Sequence, residues 1–179
     1  MGVKEIAVFA SSTESFSQKN LNCSIKESLE RFVPVVDIAK KNNIRVRGYV
    51  SMVMGCPYEG EVEPSKVSDV TKQLFDLGCY EVSLGDTVGK GTPEKTVKLI
   101  EELKKSFPAE KLAVHFHDTF DNAIENILTA TTFGNFCLIF RNPSCRFIDR
   151  WIGWLSLLNE TSWKRVHIKR RFRFVESWF

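Results

Sequence analysis

The sequence predicts an α/β protein made of four consecutive βα units whose strands run parallel. Three observations carry this prediction. Short apolar segments alternate four times with longer segments whose apolar residues have helical spacing, the connections are short, and polar side chains collect where three strands end. Repeated βα units form a parallel sheet with helices outside it. Open sheets and barrels of this class both place functional sites at the carboxyl ends of their strands.

The first unit begins with a strand from Ile6 to Ser11, which we expect to be buried and apolar on both faces. We expect a polar loop over residues 12–22 after it. The first helix starts at Ser24, which forms a capping box with Glu27 because each side chain satisfies a free amide of the first turn. Pro34 lies inside this helix and is expected to kink it.

The second strand, Arg45 to Met52, separates two kinds of side chain by its period of two. One face carries small apolar residues, and the other carries Arg47, Tyr49 and Ser51. A helix follows from Pro64 until Gly78 stops it. The third strand, over residues 80–84, again has a polar face with Glu81 and Ser83 and an apolar face with Val82 and Leu84.

The fourth unit follows a glycine-rich loop at residues 85–91. This loop lacks the Gly-Lys-Ser/Thr pattern, so it is not a phosphate-binding P-loop. Thr92 and Pro93 begin a helix that we expect Pro108 to close. The fourth strand runs over residues 112–117, and Asp118 after it is placed to cap the last helix.

The chain changes composition near residue 130. Residues 1–130 hold 16 basic and 19 acidic side chains, a net −3, whereas residues 131–179 hold 9 basic and 3 acidic, a net +6, with all four tryptophans. We therefore divide the chain into a domain of residues 1–130 and a divergent basic, aromatic tail of residues 131–179. A frameshift, a retained intron or an alternative exon would produce such a break, and a genuine C-terminal segment is the alternative.

Several classes of partner and location are not expected from the sequence. The basic and aromatic run at residues 164–174 is surrounded by no nucleic-acid recognition fold, so we expect no nucleic-acid partner. No apolar run approaches the ~20 residues of a membrane span. Five cysteines without a CxxC pair, and no signal or transit peptide before the first strand, predict an intracellular protein with reduced thiols.

The pattern His-Phe-His at residues 115–117 is the strongest candidate site in the fourth strand. Successive strand side chains point to opposite faces, so His115 and His117 share a face and can converge on one divalent ion. The alternative from this pattern alone is a pair of hydrogen-bonded histidines in a half-buried strand. Cupins and amidohydrolases also use this spacing, so it does not identify a fold by itself.

Five blocks of sequence together are far more specific than this pair. They are KNLNCS at 19–24, RGYVS at 47–51, GCPYEG at 55–60, LGDTVG with GTP at 84–93, and VHFHDT at 114–119. Through them, residues 1 to about 130 resemble the 3-hydroxy-3-methylglutaryl-CoA lyase family, which consists of metal-dependent TIM-barrel enzymes. The resemblance implies a partial TIM (β/α)8 barrel that holds about four of its eight βα units.

The resemblance also implies a reaction and a set of site residues. The family cleaves (S)-3-hydroxy-3-methylglutaryl-CoA to acetyl-CoA and acetoacetate, in ketone-body formation and leucine catabolism, with Mg²⁺ or Mn²⁺ as cofactor. It acts on an acyl-CoA, is often homodimeric, and in eukaryotes lies in the mitochondrial matrix; without a transit peptide, we expect a cytoplasmic location. The implied residues are metal ligands His115 and His117, substrate-binding Arg47, Tyr49 and Ser83, the pocket candidate Asp86, and Asn20 near the CoA moiety.

The match to the family is incomplete, which leaves two hypotheses open. A family strand with the catalytic Arg and an Asp ligand would lie upstream of Met1, and the segment around Cys145 lacks the glycine run of the loop with the catalytic Cys. Two of the four ligands that the resemblance implies are present. The chain is either a lyase-type enzyme or a non-catalytic product of such a gene, with an isopropylmalate, homocitrate or citramalate synthase fragment as the enzymatic runner-up.

Three structural expectations follow. The strands should pair in the order 1-2-3-4, because right-handed crossovers with short connections place consecutive strands side by side. Two neutral imidazoles should bind Mg²⁺ weakly, since this ion prefers oxygen ligands. Half of a barrel leaves its inner face uncovered around Phe9 and Tyr49, so we expect the isolated chain to be marginally stable, prone to aggregation and without detectable cleavage activity.

Overall fold

Four parallel strands form one sheet in the order β1-β2-β3-β4. The computed structural model describes residues 2–134. Its strands are β1 (Glu5–Ser11), β2 (Arg45–Ser51), β3 (Glu81–Asp86) and β4 (Leu112–Phe116). Each neighbouring pair is parallel and in continuous register. This order confirms the prediction from the short connections.

Helices follow each strand. They are α1 (Glu14–Leu21), α2 (Ile25–Lys41), α3 (Pro64–Leu77), α4 (Pro93–Lys104) and α5 (Ala123–Gly134), with a 3-10 turn at Ala109–Lys111. The capping box at Ser24 is present, and Gly78 ends α3 in the left-handed conformation with φ 110°. Asp118 Oδ1 accepts a hydrogen bond of 3.0 Å from the Ala123 amide, as predicted. Helix α4 ends before Pro108, which instead precedes the 3-10 turn.

Helix α1 occupies the segment for which we expected a polar loop, so that expectation is wrong. The N-cap residue Thr13 makes no side-chain hydrogen bond to the first turn, and contacts from distant residues hold the helix instead. The Glu59 carboxylate accepts a 2.8 Å hydrogen bond from the Ser15 amide, and the Lys19 ammonium lies 4.1 Å from the Tyr58 ring centroid. The helix therefore depends on the loop after β2, which the local sequence of α1 does not reveal.

The hydrophobic core lies on one face of the sheet, under the helices. Strand residues on this face are fully or almost fully buried: Val8, Val46, Val50, Val82, Leu84 and Leu112. Gly48 belongs to the same face, where a Cβ would lie 3.1 Å from Leu74 Cδ1. A small residue at this point lets α3 pack closely on β2.

The opposite face, which we call the open face, has no helix over it among the described residues. Phe9 on β1 is 52% exposed there and stacks on Tyr49 with ring centroids 4.7 Å apart. The expectation that β1 is buried on both faces is therefore wrong. Its sequence is apolar throughout, but the helices of residues 2–134 cover only one side of it.

The β3–α4 loop depends on close packing around two glycines. Gly89 has φ 70°, a conformation that glycine adopts without strain. A Cβ at Gly91 would collide with Met54 Sδ and would lie 2.8 Å from Asp86 Oδ2 and 2.9 Å from Asn126 Nδ2. The glycines of this loop thus hold it against the end of β3.

Several sequence-based predictions concern residues beyond the described part of the chain. Cys145, the run at residues 164–174 and most of the tail from 131 to 179 lie outside the described residues. Helix α5 continues through residue 130 to Gly134. No helix within residues 2–134 is both long and apolar enough to cross a membrane.

The one-sided core predicts unequal effects of two large-to-small substitutions. Leu84→Ala empties a site with 0% exposure under the helices and should lower the free energy of unfolding by about 2–5 kcal/mol. Phe9→Ala removes a larger side chain from the open face but loses mainly its stacking on Tyr49, about 1 kcal/mol. Urea unfolding of both variants would measure the two losses. An osmolyte that is excluded from the protein surface can be added to stabilise a marginally stable chain. Equal losses would show that the open face is covered.

A second prediction concerns the β3–α4 loop. Gly91→Ala should destabilise the chain by about 1–3 kcal/mol, because the added methyl group overpacks the contact with Met54 and Asp86. Gly55→Ala is the matched control, since the nearest atom to a Cβ there is Lys90 Cβ at 3.7 Å. Denaturation midpoints of the two variants would decide. A Gly91→Ala chain as stable as the control contradicts the described loop packing.

Candidate functional site

The two histidines of β4 converge on one point of the open face. Their Nε2 atoms are 3.1 Å apart, and the rings meet at 67° with centroids 5.1 Å apart. Both side chains are exposed. This geometry confirms that His115 and His117 point the same way. The two rings form a hydrogen bond between their Nε2 atoms, and the tautomers determine which of the two nitrogens is the donor.

The distance between the two nitrogens fits a shared metal ion. Two adjacent ligand atoms, each about 2.1 Å from an octahedral ion, lie about 3.0 Å apart. Across residues 2–134, however, no group of three or more His, Cys, Asp or Glu side chains is placed to hold a metal ion. The described donor set is therefore two imidazoles, which fits part of a metal site.

The surroundings of His115 favour its neutral form. Partial removal from water lowers the pKa of the His115 imidazole, and the charges of His117 and Arg47 lower it further. The neutral imidazole is the form that coordinates a metal. The effect of Arg47 reaches across the sheet, because Arg47 stands on β2 and His115 on β4.

Arg47 and Tyr49 form a unit on β2, which β3 separates from the histidine-bearing β4. An Arg47 Nη1 group donates a 2.9 Å hydrogen bond to Tyr49 Oη, and the guanidinium carbon lies 5.1 Å from the Tyr49 ring centroid. The Arg47 side chain is 19% exposed. A positive charge thus faces the uncovered side of the sheet at a fixed place.

The strand register brings Ser83 to the same face. Tyr49 pairs with Ser83, Ser83 with Ala113, and Gly85 with His115, and aligned residues of parallel strands share a face. Arg47, Ser83 and His115 therefore lie on one sheet face, as predicted. Ser83 is 2% exposed, so it forms the floor between Tyr49 and the histidines.

Asp86 and Asn20 are placed differently from these residues. Asp86 is fully buried, and its carboxylate accepts hydrogen bonds from the amides of Lys90 at 3.2 Å and Gly91 at 2.7 Å. This arrangement gives it a role in holding the β3–α4 loop, and a role in the substrate pocket stays a prediction. Asn20 lies exposed on α1, and its role near CoA also stays a prediction.

Sequence reasoning did not find the role of Glu81. It begins β3 on the open face, yet it is 3% exposed, and its Oε1 lies 2.6 Å from Arg47 Nε. The Nε–H bond of Arg47 does not point at the Glu81 oxygen closely enough for a hydrogen bond, so the contact is an ion pair. Opposite charges at paired positions of neighbouring strands, Arg47 and Glu81, were the available signal.

The described cysteines take no part in this cluster. Cys23, Cys56 and Cys79 are free and buried. Burial raises the pKa of the Cys79 thiol to about 11, so it stays protonated at neutral pH. The Thr13 hydroxyl donates a 3.3 Å hydrogen bond to the Cys56 sulfur. The described thiols are thus unpaired, in line with the reduced state that the sequence predicts.

Comparison with known proteins gives a consistent result. The family model described as HMGL-like matches residues 1–137. The 3-hydroxy-3-isohexenylglutaryl-CoA/hydroxy-methylglutaryl-CoA lyase of Pseudomonas aeruginosa is 58% identical over 126 residues, which cover 70% of this chain and 42% of that protein. The 3-hydroxy-3-methylglutaryl-CoA lyase of Danio rerio, named as cytoplasmic, is 56% identical over 133 residues. These residues cover 74% of this chain and 40% of that protein.

A solved structure agrees with these relatives. The HMG-CoA lyase of Brucella melitensis matches with a TM-score of 0.72 and 49% identity, over 73% of this chain and 46% of that one. The four βα units are therefore part of a TIM-barrel-like α/β fold, as predicted. The chain spans about two fifths of the length of the curated relatives it matches. This chain belongs to the HMGL-like family, whose model matches residues 1–137, and it is similar to hydroxymethylglutaryl-CoA lyases over 126 and 133 residues.

Proposed function

We propose that residues 1–130 supply the metal-binding and substrate-binding half of a hydroxymethylglutaryl-CoA lyase site. The reaction is cleavage of a carbon–carbon bond in (S)-3-hydroxy-3-methylglutaryl-CoA, which yields acetyl-CoA and acetoacetate. The observation that carries the proposal is the meeting of His115 and His117, 3.1 Å apart, on the sheet face that also holds Arg47. The names of the matched relatives support the same reaction.

The chemistry sets what the chain's own residues must do. The tertiary hydroxyl of the substrate must lose a proton while the breaking bond leaves an enolate of acetyl-CoA. His115 and His117 would hold a divalent ion, Mg²⁺ or Mn²⁺, which when bound supplies Lewis-acid polarisation of the hydroxyl and a carboxylate oxygen. Arg47 would receive an anionic oxygen of the substrate through charge-assisted hydrogen bonds.

The neighbouring residues would orient Arg47 and the substrate. Tyr49 accepts a hydrogen bond from Arg47 and keeps the guanidinium above the sheet. Ser83 lies at the floor with a hydroxyl available to the substrate, and Asp86 holds the loop at the end of β3. Asn20 on α1 would contact the CoA moiety. With these assignments, the acyl-CoA substrate is the proposed partner of the site.

A non-catalytic product of a lyase gene is the second candidate. The observation that favours it is the donor set of the described residues, which consists of two imidazoles and includes no carboxylate placed beside them. In this case the chain would bind a metal ion or CoA weakly, or would associate with full-length subunits. The chain assayed alone should then release no detectable acetoacetate.

A chimera tests whether this segment is competent in the reaction. We expect cleavage when the 126-residue segment of this chain that aligns with the Pseudomonas aeruginosa relative replaces the matching segment of that protein, because their 58% identity preserves the packing. His117→Ala in the chimera should lower kcat by about 100-fold or more through loss of a ligand. Acetoacetate and acetyl-CoA release are measured together. A folded chimera without cleavage, or one that is indifferent to His117→Ala, contradicts the proposal.

Metal titration of the chain itself gives a second prediction. Two imidazoles should bind Zn²⁺ more tightly than Mg²⁺, and Mg²⁺ affinity should be weaker than micromolar, because imidazole suits zinc and magnesium prefers oxygen. Because the pKa of His115 lies below its ordinary value, Zn²⁺ affinity should persist to lower pH than for an ordinary imidazole pair, and should fall when acid protonates the ring.

The variants for this calorimetric titration are single alanine substitutions. His115→Ala and His117→Ala should each remove most of the Zn²⁺ heat, whereas His167→Ala, the remaining histidine of the chain, is the control. Micromolar Mg²⁺ binding would contradict the expected weakness. Zn²⁺ binding that survives loss of both His115 and His117 would place the metal elsewhere.

A further inference from the structure

Glu81 is a charged residue at a buried position, where a charge is energetically unfavourable. It lies on β3 with 3% exposure, and a carboxylate removed from water is destabilised unless a partner compensates for the lost hydration. The compensating partner is Arg47, whose Nε lies 2.6 Å from Glu81 Oε1. Buried ion pairs are weak sources of stability, because an apolar pair of similar volume often serves as well. Their clearer effect is to fix geometry.

The ion pair fixes which part of the Arg47 guanidinium stays available. Glu81 Oε1 lies 2.6 Å from Nε in an ion pair, and Nη1 donates a hydrogen bond to Tyr49 Oη at 2.9 Å. Two anchors on a rigid planar group determine its position and its orientation. Within residues 2–134, the hydrogen bond of the Arg47 side chain runs from Nη1 to Tyr49, which leaves Nη2 without a hydrogen-bond partner. The Arg47 side chain is 19% exposed on the open face. A donor is thus left for a ligand.

The strand register places this donor on the same sheet face as the histidine pair, at a different level along the strands. Arg47 pairs with Glu81 across β2 and β3, while His115 on β4 pairs with Gly85, farther along the same face. Tyr49 and Ser83, which pair with each other, stand between the two levels. The guanidinium therefore lies on the sheet face that also carries Tyr49, Ser83 and the histidines.

We propose that Glu81 is a positioning residue, whose carboxylate holds the Arg47 guanidinium so that Nη2 receives a carboxylate or thioester oxygen of the acyl-CoA substrate. This inference rests on the proposed lyase function and adds a residue to it. Glu81 itself touches no substrate. Its loss should leave Arg47 charged but free to rotate, so affinity for the anion should fall although the charge remains.

The test uses the full 179-residue chain without metal and the probe 3-hydroxy-3-methylglutarate, the acid of the substrate without CoA. Affinity is measured by NMR titration, with the Arg47 Nε–Hε signal as the report on the ion pair. Glu81→Gln should weaken binding by about tenfold, the worth of a charge-assisted hydrogen bond, and should shift this signal. Arg47→Lys should weaken binding similarly, because lysine lacks the planar fork.

The same sheet face offers a matched control. Glu5 and Arg45 are also paired across neighbouring strands, with Oε2 and Nη2 2.7 Å apart, but their side chains are 36% and 48% exposed. Glu5→Gln breaks an ion pair of the same chemistry at the far end of the strands. It should leave the affinity for 3-hydroxy-3-methylglutarate and the Arg47 signal unchanged.

If Glu81→Gln does not fold, Glu81→Asp keeps the charge and shortens the side chain by one methylene group. Positioning predicts a loss of affinity in Glu81→Asp, so wild-type affinity in either variant would overturn the inference. Failure of the unaltered chain to bind the probe would overturn it too, even if the chimera cleaves substrate. An inactive chimera together with affinity lost in Glu81→Gln would refute the lyase proposal and leave the role of Glu81 standing.

Discussion

The parallel register of four strands with a period of two is the constraint on which the rest of the structure depends. It sends Val46, Val50, Val82 and Leu84 under the helices, where they are 0–3% exposed, and sends the polar residues to the opposite face. A slip of one residue would put Arg47 into the hydrophobic core and Val50 on the surface. The fold and the candidate site are therefore specified by the same alternation, and neither can change alone.

The open face combines apolar and charged side chains in different regions. Near β1 it carries the stacked rings of Phe9 and Tyr49, and from β2 to β4 it carries Arg47, Glu81 and the histidines. Exposed aromatic surface costs stability in a domain whose total margin is only ~5–15 kcal/mol. The polar part has the opposite requirement, because a substrate must reach it. This face is thus weak as a core and suitable as part of a binding site.

Elements with strong local signals could be predicted from the sequence, and elements fixed by distant contacts could not. The capping box at Ser24, the stop at Gly78 and the strand order followed from local patterns. Helix α1 could not be predicted, because its first turn is held by Glu59 from another loop. In the site, the period of two predicted that His115 and His117 converge. It did not predict the pairing of Glu81 with Arg47, which depends on the register between strands.

The most direct test of the account is whether His115 and His117 bind one ion together. Zn²⁺ shifts the NMR signal of an imidazole nitrogen that coordinates it directly, so the ring ¹⁵N signals of the two histidines can be followed during a titration of the full chain. The account predicts that the Nε2 signals of His115 and His117 shift together at the same Zn²⁺ concentration, because the two atoms lie 3.1 Å apart. A shift of one histidine alone, or of neither while other residues respond, would contradict it.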